Sequence, residues 1–310
     1  MFMSRTSLLV LAAALLLSGC ATAGQSQDDW PVYTIEHAQV FPLETTALGQ
    51  FDASGLLRTR AGNLLTISDS GPTLYRIEVP SNPSPARLVA LTNLFTREQL
   101  APFAAEKIGR YDCEGIAEDD EGRLYICEEA NRWILRCDPQ GKSVERLPID
   151  WSPVSKYFST DRNASFEGIA IASNKLYVAN ERLMPRIIVV DLRTLKIIED
   201  FVVTPRAVSL LGLHYSDLCW FEDKLYVLCR QHHVVLEVEP NTQHVLAEFD
   251  YKSLEDRLGY RKDLPVGFME GLSVDRDNIW LAIDNNGYPR KRDPKDTRPV
   301  LLKCPRPDRH

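Results

Sequence analysis

The sequence of 310 residues predicts an all-β fold, and three observations support this prediction. A short motif recurs along the chain at spacings of 60, 53, 49 and 54 residues. A β-branched and aromatic run follows each copy, and the long amphipathic stretches that connect parallel strands are missing. Short strands at an even period near 50 residues, with four strands in each unit, are the signature of a single β-propeller.

The motif supplies the first strand of each predicted unit, and the later strands follow past polar turns. First strands are predicted at residues 53–56, 113–116, 166–169, 215–218 and 269–272. Second strands are predicted at 64–67, 124–127, 176–179, 225–228 and 279–282. Third strands are predicted at 74–79, 133–137, 187–192, 234–238 and 300–304. Fourth strands are predicted at 87–91, 143–147, 196–203 and 244–249.

The last unit lacks a fourth strand before the chain ends, so the N-terminal segment is expected to supply it. Residues 31–41 are strand-like and precede the first unit. The prediction is therefore five blades closed by an N-terminal strand. Six blades would require a further unit within residues 92–110, which are predicted to form a loop or a short helix.

Composition narrows the range of functions. The chain is 44% hydrophobic and 25% charged, which is typical of a soluble globular protein. Its formal net charge is −7, with 43 acidic against 36 basic residues. Such a surface gives little of the counterion release that drives binding to nucleic acids, so a nucleic-acid partner is not expected.

The N-terminus is predicted to be a targeting segment. Arg5 precedes an apolar run at residues 8–17, which fits the core of a signal peptide and is too short to span a bilayer. The following Leu-Ser-Gly-Cys at 17–20 resembles a bacterial lipobox, in which Cys20 carries lipid. The alternative is a plain secretory signal. Since Ala21 is not the Asp typical of inner-membrane retention, the expected location is the outer membrane, facing the periplasm.

These predictions divide the chain into four parts. They are a signal peptide at 1–19, a lipid-anchored linker at 20–30, the propeller at 31–304 and a tail at 305–310. The mature chain is expected to be a monomer that meets the membrane only through its lipid. Six cysteines follow Cys20, and both disulfides and free buried thiols remain open interpretations.

Polar residues precede the repeat glycine in the motif. This first column reads Ser54, Glu114, Glu167, Ser216 and Glu270. In a propeller the first strand of each blade lines the central channel, so three carboxylates should converge there. Like charges so close require raised pKa values or a bound cation. Oxygen ligands without a convergent His or Cys favour Ca²⁺, with Mg²⁺ as the alternative. A second interpretation is that each Glu caps its own loop without metal.

A second polar column lies at the ends of the second strands. It reads Asp69, Glu129, Glu181, Arg230 and Asp284, with Asn285 beside it. Because successive strands are antiparallel, the end of the second strand lies beside the start of the first. Both columns are therefore expected at the same mouth of the channel.

Several of these segments resemble known families. "DCEGIAEDDEGRLYICEE" at 112–129 and "FEGIA" at 166–170 look like the SdiA-regulated propeller family, and "NASFEGIA" and "MEGLSVDRDNIWLAIDNNG" resemble proteins named for the esterase-like activity of phytase. The resemblance covers residues 50–304. It implies a periplasmic or extracellular propeller with a calcium-type channel site. One departure is Asp217, which stands where the other units have Gly.

Two functions are compatible with these patterns. One is a cation-containing propeller that binds a small anionic molecule or an envelope protein. The alternative is a metal-dependent phosphoesterase or lactonase, for which His232 and His214 are weak candidates for the base. The loop at 285–299 carries Arg290, Lys291 and Arg292 and is a candidate for anion binding.

We expect Cys20 to be the site of lipid attachment. In cells fed labelled palmitate, the wild-type chain should incorporate label and the Cys20→Ala variant should not. Equal incorporation by both chains would contradict the lipobox interpretation.

Overall fold

A computed structural model describes residues 30–45, 51–69, 71–82, 84–103, 112–161, 163–207, 212–260 and 267–307. The predicted signal peptide and Cys20 lie outside these residues. Within them the chain is mostly β, and no helix among them is long and apolar enough to cross a membrane. The helices are α1 (Arg97–Leu100), α2 (Lys252–Leu258) and 3-10 turns at Ala101–Phe103, Ser152–Tyr157 and Arg230–His232.

The strands form four-stranded antiparallel ladders, which we number as units in chain order. Unit 1 contains β3 (Ala53–Arg58), β4 (Leu64–Ser68), β5 (Gly71–Glu78) and β6 (Ala86–Asn93). Unit 2 contains β7 (Cys113–Glu118), β8 (Leu124–Glu128), β9 (Trp133–Cys137) and β10 (Val144–Arg146). Unit 3 contains β11 (Phe166–Ala172), β12 (Lys175–Asn180), β13 (Arg186–Asp191) and β14 (Lys196–Phe201). Unit 4 contains β15 (Tyr215–Phe221), β16 (Lys224–Cys229), β17 (Val234–Glu239) and β18 (His244–Asp250).

Unit 5 is completed by the N-terminal segment, but not by the whole predicted range. It contains β19 (Met269–Val274), β20 (Asn278–Ile283) and β21 (Val300–Pro305), and β2 (Gln39–Thr45) pairs antiparallel with β21. The first half of the predicted strand at 31–41 instead forms β1 (Val32–Thr34), which adds to unit 4 in parallel with β18. Strand β2 also pairs in parallel with β6 and so joins units 5 and 1 into one sheet.

The first strands of the units contact one another in a closed series. Strand β3 touches β7, β7 touches β11, β11 touches β15, β15 touches β19, and β19 returns to β3. Glycines permit this close approach. A Cβ added to Gly115 would lie 2.6 Å from the backbone N of Ile169, and one on Gly168 would lie 2.5 Å from the Cα of Asp217. Real Cβ atoms do not occupy such positions, so these glycines set the spacing of the inner strands.

Hydrophobic clusters fill the spaces between neighbouring units rather than one central core. One cluster joins units 4 and 5 and another joins units 5 and 1, so the packing continues across the junction of the two ends of the chain. After the first polar column the inner strands continue with buried aliphatic side chains. They are Leu56, Ile116, Ile169, Leu218 and Leu272. Four of them, all but Leu272, also line a cavity of about 320 Å³ between the inner strands, together with residues such as Leu57, Ile171 and Trp220.

The six cysteines after Cys20 are all free thiols, and five of them are buried. Cys127 shows how a strand thiol is used, because the backbone N–H of Gly115 donates to its Sγ at 3.0 Å. Of the two interpretations of these cysteines, the structure has free thiols packed in strands.

We predict that Gly115→Ala destabilises the fold. Its Cβ would overlap the backbone of β11, which cannot move without widening the ring, so the cost should be about 1 to 3 kcal/mol, as for other overpacked sites. Gly71→Ala is the matched control, since a Cβ there meets nothing within 4 Å, and it should change the free energy of unfolding by less than about 0.5 kcal/mol. Urea denaturation measures both. Equal stabilities of the two variants would contradict the close-approach argument.

Candidate functional site

The first-column residues project toward the axis because each inner strand bulges where they occur. In β7 the register shifts between Cys113 and Ile116, so Glu114 and Gly115 together oppose one residue of β8. The same irregularity occurs at the start of β3, β11, β15 and β19. A β-bulge re-aims the side chain of its extra residue, which turns the column away from the ladder.

Carboxylates of the two columns meet and form two overlapping groups. In one, single oxygens of Glu129, Glu167 and Glu181 all lie within 4.8 Å of one another. In the other, the same holds for Asp112, Glu114 and Glu129. Glu129 belongs to both groups. The prediction that the columns share one mouth agrees with this arrangement.

Glu270, the third predicted carboxylate ligand, has a different partner. Arg230 of unit 4 lies between units 3 and 5, and its guanidinium bonds both Glu270 and Glu181. Arg182 also pairs with Glu181, at 2.7 Å. We call Glu181 and Glu270, which these arginines pair with, the arginine-neutralised side of the mouth. All five members of the two carboxylate groups, Glu181 included, belong to units 2 and 3. Glu270 is a member of neither group.

Glu167 is a buried carboxylate without hydrogen-bond donors in the described part of the chain. Its side chain is only 6% exposed, and no residue of the described ranges donates a hydrogen bond to it. Neighbouring Ser165 donates its backbone N–H to Glu129 at 3.0 Å and accepts the N–H of Glu181. The buried Ser165 hydroxyl lacks a partner in the part of the chain that the structure describes.

Burial and mutual repulsion raise the pKa values of these carboxyl groups. Burial, followed by the charge of Glu181, raises the pKa of Glu129 to about 8. Burial likewise raises the pKa of Glu270 to about 7, although Arg230 opposes the shift. The pKa values of Glu114 and Glu167 are also raised well above their usual range, mainly by burial. Without a cation, protons must replace charge here.

Asp217, the departure from the glycine pattern, is a structural acceptor at the axis. It is 1% exposed, and its carboxylate accepts the N–H of Leu272 at 2.7 Å, of Leu218 at 2.8 Å and of Leu56 at 3.3 Å. These donors belong to units 5, 4 and 1. Asp217 therefore ties three inner strands together and does not join the carboxylate groups.

The two serines of the first column make contacts within and between the inner strands. Ser216 donates its hydroxyl to the carbonyl of Met269 at 2.9 Å, so it joins units 4 and 5. Ser54 is buried, and its carbonyl accepts the hydroxyl of Thr66. That their hydroxyls complete the ligand set stays a prediction.

The remaining mouth residues mainly organise their own loops. Asn285 donates its side-chain amide to the carbonyls of Tyr288 and Thr297, and Asp284 accepts the N–H of Asn286 at 2.7 Å. Burial raises the pKa of Asp284 to about 8. Asp69 is half-buried at the end of β4 and lies close enough to Glu114 to raise its pKa further.

The cationic loop folds away from the carboxylate groups. Arg290 pairs with Asp296 at 3.1 Å and lies over the ring of Tyr260, and the backbone of Lys291 bonds Gly259 beyond α2. The side chains of Lys291 and Arg292 are exposed. The loop therefore packs on the outer part of units 4 and 5.

Histidines lie near the arginine-neutralised side. The Nδ1 of His214 is 3.6 Å from Glu181, and burial, with the charges of Arg230 and Arg182, lowers its pKa to about 3. His214 is therefore neutral at physiological pH and a weak base. Burial also lowers the pKa of His232. The neighbouring His233 bonds the buried carboxylate of Glu255 at 3.2 Å.

Sequence reasoning also missed Asp112, Ser165 and Arg182. Asp112 and Ser165 occupy equivalent places two residues before the repeat Glu of their units. These equivalent positions could have identified both residues from the sequence, because they extend the repeated motif by two residues toward the mouth. Arg182 follows Glu181 directly and has no counterpart in the other units.

Fold and site together define a β-propeller with an acidic centre at one mouth of its channel. The sequence matches a family described as phytase-like, with esterase-like activity of phytase, over residues 46–287. Because the match spans most of the chain, the protein belongs to this phytase-like family. Similarity to the SdiA-regulated family and the lipoprotein assignment stay predictions. No curated protein sequence matches the chain.

One of the similar solved structures supports the fold. Glutaminyl cyclase of Myxococcus xanthus is 16% identical with a TM-score of 0.57, over 90% of this chain and all of that one. Virginiamycin B lyase of Staphylococcus aureus is 12% identical with a TM-score of 0.43, over 83% of this chain and 72% of that one. The prediction of a mostly β propeller is confirmed, and the number of blades stays a prediction.

We predict that Asp217→Gly destabilises the protein although glycine occupies this place in the other units. The substitution leaves the N–H groups of Leu56, Leu218 and Leu272 without their acceptor, and each unsatisfied buried donor costs about 1 to 3 kcal/mol. Asp217→Asn keeps one acceptor oxygen and should lose less. Thermal and urea unfolding measure the ranking. A glycine variant as stable as the wild type would show that Asp217 does not hold the ring.

Proposed function

We propose that the chain is a five-bladed propeller that holds a divalent cation, Ca²⁺ in preference to Mg²⁺, at its acidic mouth and binds a small anionic ligand there. The five blades are units 1 to 5 as defined above. The observation that carries the proposal is the convergence of Glu129, Glu167 and Glu181 within 4.8 Å, with Glu167 lacking a hydrogen-bond donor in the described residues. Oxygen-only ligands of this kind suit Ca²⁺.

Electrostatics favours a cation over the metal-free alternative. Glu129, Glu167 and Glu181 carry three negative charges when ionised, and within this group Arg182 and Arg230 form ion pairs with Glu181. The charge of Arg182 acts on Glu129, and that of Arg230 on Glu167, without an ion pair. The loop-capping interpretation accounts for one oxygen of Glu129, which accepts the Ser165 N–H. It does not account for Glu167. A buried carboxylate without donors is stable only when protonated or bound to a cation.

The cation would also give the site its affinity for anions. The mouth is acidic, so an anion needs a positive centre, and the two arginines are already paired. Glu114 is the least buried member of the second carboxylate group, since Asp112 and Glu129 are both buried. A small anionic molecule is therefore the expected ligand, with an envelope protein as the alternative partner. The exposed Lys291 and Arg292 lie on a loop that packs outside the site and are not needed for this binding.

A second candidate function is metal-dependent hydrolysis of a phosphate ester or lactone. Membership of a family described by esterase-like activity favours it. A bound divalent cation supplies Lewis-acid polarisation of a phosphoryl or carbonyl oxygen. The chain itself would have to supply the base, and His214 is a weak one because its pKa is about 3. No described residue forms the Ser-centred elbow of a classical hydrolase.

The proposed location is the periplasmic face of the outer membrane, with the chain anchored through a lipid on Cys20. This proposal depends on the sequence alone, because residues 1–29 lie outside the described ranges. Strand β1 begins at Val32, so the linker at 20–30 would lead directly to unit 4.

We predict an inverse pH dependence for the cation-free chain. The folded-state pKa values of Glu129, Glu270 and Asp284 are about 8, 7 and 8, above ordinary values of 4.5, 4.5 and 3.8. The folded state therefore binds more protons than the unfolded state between about pH 4 and 8, and the free energy of unfolding falls as pH rises through this window. In EDTA, the melting temperature should be lower at pH 8 than at pH 5.

Added Ca²⁺ should reverse this trend, because it replaces the protons. At pH 8 it should stabilise the wild type by about 3 kcal/mol when present at a few hundred times its Kd, and at pH 5 by much less. Glu129→Gln/Glu167→Gln should abolish the response, and the exposed pair Glu121→Gln/Glu145→Gln should retain it. If neither EDTA nor Ca²⁺ changes the melting temperature and elemental analysis detects no metal, the metal-free interpretation, in which each Glu caps its own loop, would be favoured.

A further inference from the structure

His233 and Glu255 form a hydrogen-bonded pair beside the acidic mouth that the cation site does not use. The Nδ1 of His233 lies 3.2 Å from Oε2 of Glu255. Glu255 lies on α2 and is 5% exposed, and its other oxygen accepts the backbone N–H of Phe268 at 3.2 Å. A buried carboxylate fixed in this way orients the imidazole and places its proton on Nδ1.

The histidine ring is fixed from a second direction. Its edge-to-face contact with Tyr251 has a centroid separation of 6.0 Å and an interplanar angle of 83°. The backbone of Tyr251 donates to the carbonyl of His233 at 2.9 Å. His233 has a φ of 56° and caps the end of the 3-10 turn in the left-handed conformation, in which His, Asn and Asp are found more often than other non-glycine residues.

The pair borders the site through Arg230. His233 donates its N–H to the carbonyl of Arg230 at 3.2 Å, and the guanidinium of Arg230 bonds Glu181 and Glu270. Glu255 is close enough to Glu270 to raise its pKa. The Nε2 of His233 makes no hydrogen bond within the described ranges, and the side chain is 15% exposed. This nitrogen therefore has no partner among the described residues, in a residue whose backbone bonds Arg230 at the mouth.

We infer that His233 is the general base of the site, with Glu255 as its positioning residue, and that the chain hydrolyses an anionic phosphate ester. This inference rests on the second candidate function above. Neutral His233 takes one proton from water at Nε2 while the water oxygen forms a bond to phosphorus and the ester P–O bond breaks. The imidazolium then returns that proton to the leaving alkoxide, so the products are phosphate and an alcohol.

Other ionisable groups around His233 do not compete for this role. His232 precedes it on the 3-10 turn, and burial, followed by the charge of His233, lowers the pKa of His232. Tyr251 stays protonated, because burial raises the pKa of its hydroxyl well above the usual value. Arg230 is held by two carboxylates. Glu255 is thus the group that directly bonds the imidazole.

The test uses the full chain with Ca²⁺ and p-nitrophenyl phosphate or bis(p-nitrophenyl) phosphate as probes. His233→Asn keeps the left-handed backbone, and it should lower kcat by about 100-fold or more without changing KM. Glu255→Gln should lower kcat by about 10-fold and shift the pH profile. The controls are His244→Gln, at an exposed position, and Asp256→Asn, on the exposed face of α2. Both controls should keep wild-type rates.

A spectroscopic readout separates orientation from general stability. In ¹⁵N-labelled chain, neutral His233 should be the Nδ1–H tautomer, and Glu255→Gln should mix the tautomers while Asp256→Asn should not. A dominant Nε2–H tautomer, a His233→Asn variant with wild-type turnover, or a wild type that binds Ca²⁺ but hydrolyses neither probe would each overturn the inference. The last result would leave the cation site itself standing, since Ca²⁺ binding is measured separately by melting and elemental analysis.

Discussion

The inner strands approach one another at the axis more closely than side chains allow, and the rest of the molecule is arranged around this constraint. Where Gly115 faces β11 and Gly168 faces β15, a Cβ would lie within 2.6 Å of backbone atoms. The strands accommodate the crowding with glycines and with a bulge at each start. The bulge directs the preceding polar residue toward the mouth. The tight axis thus also determines where the carboxylates converge.

Because the inner strands are so close, carboxylates of neighbouring units converge at the mouth and repel one another. Arginine side chains of the chain neutralise only some of these carboxylates. Arg230 takes the second-column place of unit 4, between Glu181 of unit 3 and Glu270 of unit 5, and neutralises that side. On the side of units 2 and 3, Glu129 and Glu167 lack comparable partners among the described residues. The raised pKa values of these groups measure the cost of leaving that charge uncompensated. A cation placed there removes the cost without further side chains.

Local patterns predicted the strands well, since pairing within a unit depends on neighbouring runs of the chain. The second strand of unit 1 was expected at 64–67 and is Leu64–Ser68, and the third strand of unit 2 was expected at 133–137 and is Trp133–Cys137. The N-terminal segment was harder, because β1 and β2 pair with strands more than 200 residues away. The residue types at 31–41 do not show that one half of this segment pairs with unit 4 and the other half with unit 5.

Some residues of the site could be predicted from the repeats, and others depend on particular contacts between units that the repeats do not show. Equivalent positions had to meet at one mouth, so Glu114, Glu129, Glu167 and Glu181 could be found from the repeats. The symmetry could not show that Arg230 bonds Glu270, because that depends on the heights of the two columns along the axis. Nor could it show that Asp217 accepts backbone N–H groups from three units. Both residues break the repeat pattern, and both serve contacts between units.

The two sides of the mouth carry different groups, and this difference would orient the ligand in the proposed reaction. Below the carboxylates the inner strands carry buried aliphatic side chains such as Ile169 and Leu272, so the proposed ligand would approach the carboxylates from the acidic mouth. On the side of units 2 and 3 it meets the carboxylates that would hold the cation. On the side of units 4 and 5 it meets Arg230, already paired, and the imidazole of His233 held by Glu255. In the proposed reaction, an anionic group bound by the cation would turn its ester bond toward units 4 and 5, where His233 is the proposed base.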